Sequence, residues 1–261
     1  MNYISIGESY SLSRVLNEAD NPYGFNTTDS DTHLTKNSEW GAAAYLGYSQ
    51  YGLDGENIHI NNKNLNNSVT SVYAVTGYAA SDADSGTAEV WYTETGQTGS
   101  NNGNITGVYD MSGTTWERTA GYIANGNANM GTYGSSFATT RVSNNIDSES
   151  TMYATMCKHN ITYDNTGITI DDTTKKSSSR NIYKQNYMKY GDAMYEVSIS
   201  GEWSVAKCWD NDFSNFLRLI GPFFTRGAGK NSGSSAGVFA FAATDGIPNY
   251  ADGFRAVVCP L

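Results

Sequence analysis

The stretch "TGVYDMSGTTWE", residues 106–117, reads as two extended pieces joined by a bend. Gly113 permits the bend, because a residue without Cβ can take backbone angles that others avoid. Trp116 is a large apolar body with one polar N–H, suited to a core that offers an acceptor. Asp110 and Glu117 put a carboxylate on either side of the bend, and the second extended piece continues through "ERTAGYIA" to Ala124.

Upstream, "NSEWGAAAYLGYSQYG" (37–52) carries Trp40, Ala43, Ala44 and Gly47 at helical spacing. Asn37 or Ser38 can cap the start and Gly52 can end it. Small residues on that face predict close packing against a sheet. "SLSRVLNEAD" (11–20), with Leu12, Val15 and Leu16, predicts a second, shorter helix. "SVTSVYAV" and "AEVWYTE", between 53 and 104, read as strands separated by turns. Residues 125–150 read as polar loop, "ESTMYATM" (149–156) as a short helix and "TTKKSSSR" (173–180) as an exposed connector. From "YGDAMYEVSIS" (190–200) onward the pattern is short strands and glycine turns. The expectation is one α+β domain over 1–261, with few helices, short antiparallel strands and long loops.

Composition narrows the function. The 261 residues carry a net charge of −10, so the phosphate attraction behind most nucleic-acid binding is missing. The three cysteines, Cys157, Cys208 and Cys259, are far apart and odd in number, which argues against a disulfide framework. His33, His59 and His159 are isolated and lack zinc-ligand spacing. There is no Gly-x-Ser-x-Gly elbow, P-loop or dinucleotide fingerprint. No secretory signal is visible at the N-terminus, and no apolar run approaches the ~18 residues of a membrane helix. No membrane insertion is expected.

Three segments in chain order carry a resemblance. "HLTKNSEWGAAAYL" (33–46), "TGVYDMSGTTWE" (106–117), and the pair Arg226-Gly227 with Gly253-Phe254-Arg255 are similar to the formylglycine-generating sulfatase-modifying enzymes. The resemblance implies their variant of the C-type lectin fold. Those enzymes place two cysteines between the Arg-Gly and Gly-Phe-Arg markers, where they bind copper and form the redox pair. Between Arg226 and Arg255 this chain has no cysteine, so an oxidoreductase of that mechanism is not expected, and no catalytic residue or catalytic cofactor is assigned. The resemblance also implies a structural calcium held by Asp110, the carbonyls of Gly113 and Thr115, and Glu117; the alternative is that both acids cap turns or pair with an arginine. "CWDND" (208–212) is similar to a lectin calcium element, but with its letters out of step. Arg226 and Arg255 are expected to bridge loops.

"FFTRGAGKNSGSSAGVFAFAATDGIPNYADGFRAVV" further resembles the variable proteins of diversity-generating retroelements, a branch with this fold found in phages and bacteria. In them, adenine-directed mutagenesis rewrites a C-terminal segment, chiefly at Asn codons. The resemblance assigns a variable ligand-binding region to 219–252: Leu219, Ile220, Thr225, Ala228, Gly229, Asn231, Ala242, Ala243, Thr244, Asp245, Ile247, Pro248, Asn249, Tyr250, Ala251 and Asp252. Exchange of both adenines in an Asn codon ending in a pyrimidine cannot yield Lys, Gln, Glu, Met or Trp. None of these occurs at the assigned positions or anywhere from Asn231 to Leu261; Lys230 departs from the pattern. "AGVFAF" is expected as a strand anchoring Val238, Phe239 and Phe241 beneath an exposed patch of Leu219, Ile220, Ile247 and Tyr250. The function so implied is non-enzymatic binding of a surface protein or other macromolecule on a host or neighbouring cell, from a phage tail (virion) or bacterial cell surface. A divergent oxidoreductase and an invariant structural tail or surface protein are the alternatives.

Overall fold

The computed structural model describes residues 3–60, 90–138, 151–157, 191–199, 207–217, 220–229 and 232–261. The expected strand "SVTSVYAV" and the connector 173–180 lie outside them. So do Leu219, Lys230 and Asn231.

The fold is α+β, with a handful of short helices around a mixed sheet. Helix α1 (Ile6–Arg14) begins at a capping box: the Ser5 hydroxyl accepts the Glu8 N–H at 3.2 Å, and the Glu8 carboxylate accepts the Ser5 N–H. Its buried side is Ile6, Gly7, Ser9 and Ser13 rather than the predicted Leu12, Val15 and Leu16, and Val15 is exposed. The buried hydroxyls of Ser9 and Ser13 are satisfied by the carbonyls four residues back. Strand β1 (Ser30–Leu34) leads into α2 (Asn37–Tyr48), which lies where a helix was expected but is capped at Ser49, short of the expected Gly52. The residue flanking its start is Lys36, whose N–H is accepted by the Glu39 carboxylate at 2.8 Å. Asn37 lies one position inside and uses its amide oxygen to accept the Thr119 hydroxyl.

Several predicted elements change type. Residues after Val90 turn into a one-turn helix, α3 (Glu94–Gln97), instead of a strand. A helix, α4 (Ala128–Tyr133), interrupts the expected loop, and the expected helix near 155 is strand β3 (Thr155–Cys157). Of the two pieces around the Gly113 bend, the second is strand β2 (Trp116–Ile123), while the first forms a single bridge, Tyr109 to Ser100. Residues 191–199 are bends and turns.

The main sheet runs β3-β2-β4-β5, with β4 Phe223–Arg226 and β5 Phe241–Thr244. Strand β6 (Asp252–Phe254) lies beside Trp116–Arg118, and β3 lies beside Gly121–Ile123. Both are parallel to β2, whereas antiparallel strands were expected; their long connections allow the chain to cross over before pairing. Strand β7 (Ala256–Pro260) pairs antiparallel with β1, so the C-terminal strand lies beside the first strand of the chain.

Strands β2 and β4 are buried almost throughout, so both faces of the sheet are covered. On one face Phe224 and Phe241 pack with Trp40, Phe216 and Phe239; on the other Phe223 packs with Ile6, Tyr122 and Met130. "AGVFAF" is a turn, with strand starting at Phe241, but its Val238, Phe239 and Phe241 are buried as anchors. The Trp40 indole N–H crosses the core to the Val238 carbonyl at 2.7 Å, which ties α2 to that turn.

Candidate functional site

The Gly113 bend is held by its neighbours. Gly113 has φ +90, open to glycine without strain, and its N–H is accepted by the Gly227 carbonyl at 3.0 Å. The Thr114 hydroxyl closes the turn onto the Asp110 carbonyl. Glu117 is buried, and Arg255 takes both its oxygens, Nε at 2.9 Å and Nη2 at 2.6 Å; Nη2 also donates to the Tyr109 carbonyl. Burial pushes the Glu117 carboxyl up, against the pull of the guanidinium. A cation at Asp110, Gly113, Thr115 and Glu117 would have to share that carboxylate with Arg255. Among the described residues, no group of three or more His, Cys, Asp or Glu side chains is placed to hold a metal.

Arg226 is fully buried and donates to the Asp192 and Ala193 carbonyls at 2.8 and 3.0 Å. Arg226 thus ties one turn to strand β4, and Arg255 links the Tyr109 segment to Glu117 at the start of β2. Trp116 is half-buried, edge-on to Phe213, beside the small cluster of Ala228, Ala236 and Ala240.

The assigned variable positions among the described residues divide into three groups by exposure. Ile220 is 53% exposed, Ile247 40% and Tyr250 71%; Asn249 and Ala251 are also exposed. Gly229, Ala242, Ala243, Thr244, Asp245 and Pro248 are half-buried. Thr225, Ala228 and Asp252 are buried, which corrects their assignment to a displayed surface. Thr225 sits in β4 between Arg118 and Ala242. Ala228 has φ +63 inside the small-residue cluster. Asp252 is ion-paired to Arg118 at 3.0 Å. These three belong to the support, because replacing a buried side chain repacks what surrounds it.

Two residues of this face were not visible in the sequence. Tyr3 stacks on Tyr250 with ring centroids 4.0 Å apart and is itself 52% exposed. Arg118 lies beneath the 245–252 loop, at 1% exposure. Tyr3 is nearly the whole chain away from Tyr250 in sequence, and Arg118 has no motif to mark it.

On the sheet's other side, the segment "CWDND" forms a short 3-10 turn at Trp209–Asn211, followed by the buried Asp212. Asp212 accepts the Phe239 N–H at 2.9 Å, fixing the turn that carries Val238 and Phe239. Burial pushes its carboxyl up to about 8. The cleft beside it, between Asn57, Asp210, Asp212 and Val238, holds about 30 Å³, far below the ~300 Å³ at which ligand pockets begin. Cys157 and Cys208 are buried, and Cys259 is half-buried on β7.

Among the described residues, no helix is long and apolar enough to cross a membrane. No protein-family model matches the chain, and no curated protein matches it.

Proposed function

We propose that this chain is a non-enzymatic recognition protein with a C-type lectin-like fold of the formylglycine-generating type, whose C-terminal face is diversified by a retroelement. The observation that carries the reading is the contrast at the 245–252 loop: Ile247, Asn249 and Tyr250 are exposed, as is Ile220, while the Gly246 and Ile247 carbonyls accept from the buried Arg118. Variation is tolerable where side chains point outward and the backbone is held elsewhere. An exposed patch of isoleucine and stacked tyrosine suits a protein surface, since tyrosine offers large contact area at low entropic cost. The partner is a surface protein or other macromolecule on a host or neighbouring cell, met from a virion or a bacterial surface.

The test is genetic. The DNA flanking the gene is expected to hold a near-copy of the segment encoding 219–252, differing from it at adenines, beside a reverse-transcriptase gene. Flanking DNA with neither feature overturns the diversification.

For the Gly113 bend we infer that Arg255 supplies the positive charge that the family resemblance gives to calcium. Chelation is then expected to leave the melting temperature unchanged in calorimetry. A chelator-induced fall, reversed by added calcium, restores the metal assignment.

A further inference from the structure

The start of the chain lies against the loop 245–252. The Tyr3 N–H donates to the Asn249 carbonyl at 3.2 Å, and the Ile6 N–H donates to the Gly246 carbonyl at 3.1 Å. A Cβ on Gly246 would stand 2.9 Å from Ile6 Cγ2, so the two segments are in close contact. The Tyr3 ring stacks on Tyr250 with 20° between their planes. Both rings stay exposed, at 52% and 71%, with Ile247 at 40% on the same loop as Tyr250.

This aromatic face carries an excess of negative charge. Asp252, Asp245 and Glu8 all bring their carboxylates within electrostatic reach of one cation, Arg118. Arg118 is 1% exposed, and its guanidinium is taken up by Asp252 and by the Gly246 and Ile247 carbonyls beneath the surface. Glu8, in the first turn of α1, is exposed, and Asp245 is half-buried. Hydrogen bonding from Ser5 holds the Glu8 carboxyl below its usual range, so it is ionised at neutral pH. The charge that reaches solvent here is therefore negative.

Tyrosine rings attract cations through their electron-rich faces, and flanking carboxylates add to that attraction. A neutral or apolar partner would cover both acids without answering their charge, and an acidic one would be repelled. An arginine answers both features, since its planar group stacks on a ring while its N–H fork reaches a carboxylate.

We propose that the face of Tyr3, Ile247 and Tyr250 docks a basic segment of a protein partner, with an arginine or lysine on the tyrosine pair and its charge met by Glu8 and Asp245. The proposal rests on the reading of this loop as a recognition face and names the chemistry of the partner. Tyr3 and Glu8 lie outside 219–252, so their share of the preference stays with the chain when Asp245 or Tyr250 is exchanged.

The experiment is an amide NMR titration of the full chain with blocked peptides of three Gly-Arg repeats, and with the same frame carrying Gln in place of Arg. The arginine peptide is expected to shift amides of 3–8 and 245–252, and the glutamine peptide to bind at least fivefold more weakly. Glu8→Gln/Asp245→Asn keeps the acceptor oxygens of the helix cap and the loop turn while removing both charges; it is expected to weaken the arginine peptide about threefold or more. Tyr3→Leu is expected to weaken it about threefold, and Tyr3→Phe, which keeps the ring, to match the parent. Shifts confined to other surfaces, unchanged affinity in the charge variant or in Tyr3→Leu, or a threefold loss in Tyr3→Phe overturns the proposal. Equal binding of the two peptides at this face also overturns it, yet leaves the recognition reading standing. The diversification is decided separately by the flanking DNA.

Discussion

His33 shows what single residues contribute. Its ring is 4% exposed, with Nδ1 2.6 Å from Asp31 and Nε2 2.8 Å from Glu39. Both nitrogens face carboxylates, which accept only, so the arrangement favours the doubly protonated ring. Burial pulls its pKa down, but Glu39 and then Asp31 outweigh burial and leave it raised. Arg14 pairs with the other oxygen of Asp31, and Lys36 shares Glu39 Oε1 with His33. With the folded value above the unfolded one, the stabilisation is complete below the unfolded value, near 6.5, and fades as pH rises through the folded value. His33→Gln is therefore expected to cost about 1–3 kcal/mol at pH 6 in urea unfolding, with a smaller loss at pH 9. An equal loss at both pH values would contradict this account. The Asp212 carboxyl is raised as well, the reverse of the usual shift for a folded acid, because burial disfavours its charged form. Its folded pKa of about 8 means the native state keeps a proton that the unfolded chain releases near 4. Stability should fall as pH rises between those values, by up to about 1.4 kcal/mol per pH unit from this group. Asp212→Asn is expected to remove that slope; parallel curves for variant and parent would refute the assignment.

Elements were legible where local chemistry and tertiary packing agree. Helix α2 combines helical spacing with small residues on one face, and that face is buried as Trp40, Gly41, Ala44 and Gly47. A Cβ at Gly41 would stand 2.2 Å from the Gly191 carbonyl oxygen, which sets how closely α2 approaches that turn. Gly41→Ala is expected to destabilise by about 1–3 kcal/mol through overpacking, measured by denaturant unfolding. A neutral result would show that the two segments can separate freely. Helix α1 had a readable start, Ser5-x-x-Glu8, but its Leu12, Val15 and Leu16 drew attention to the wrong end. Strand β3 was mistaken because three residues are too few to show a period, and partner β2 determines its conformation. The turn at 236–240 has a strand-like composition, yet Asp212 and Trp40 capture its backbone from segments distant in sequence.

At the scale of the molecule, the division between support and display sets tolerance to change. Ile247→Ser is expected to shift stability by no more than about 0.5 kcal/mol, as exposed substitutions do, and Tyr250→Ser, which also gives up its stack on Tyr3, by about 0.5–1.5 kcal/mol. Phe241→Ala, on the same segment but fully buried, is expected to cost about 3–5 kcal/mol. Comparable losses at all three would mean that the loop is part of the core. The sequence by itself determined the α+β class, helix α2, the bend at Gly113, the structural use of Arg226 and Arg255 and the apolar anchors Val238, Phe239 and Phe241. These follow from spacing, from glycine's backbone freedom and from side-chain chemistry, all of which act over a few residues. The tertiary structure alone decided that Thr225, Ala228 and Asp252 are buried, that Arg255 takes both oxygens of Glu117, and that Tyr3 and Arg118 meet the loop at 245–252. Burial and pairing depend on which distant segments the folded chain brings together, and local sequence carries no record of that.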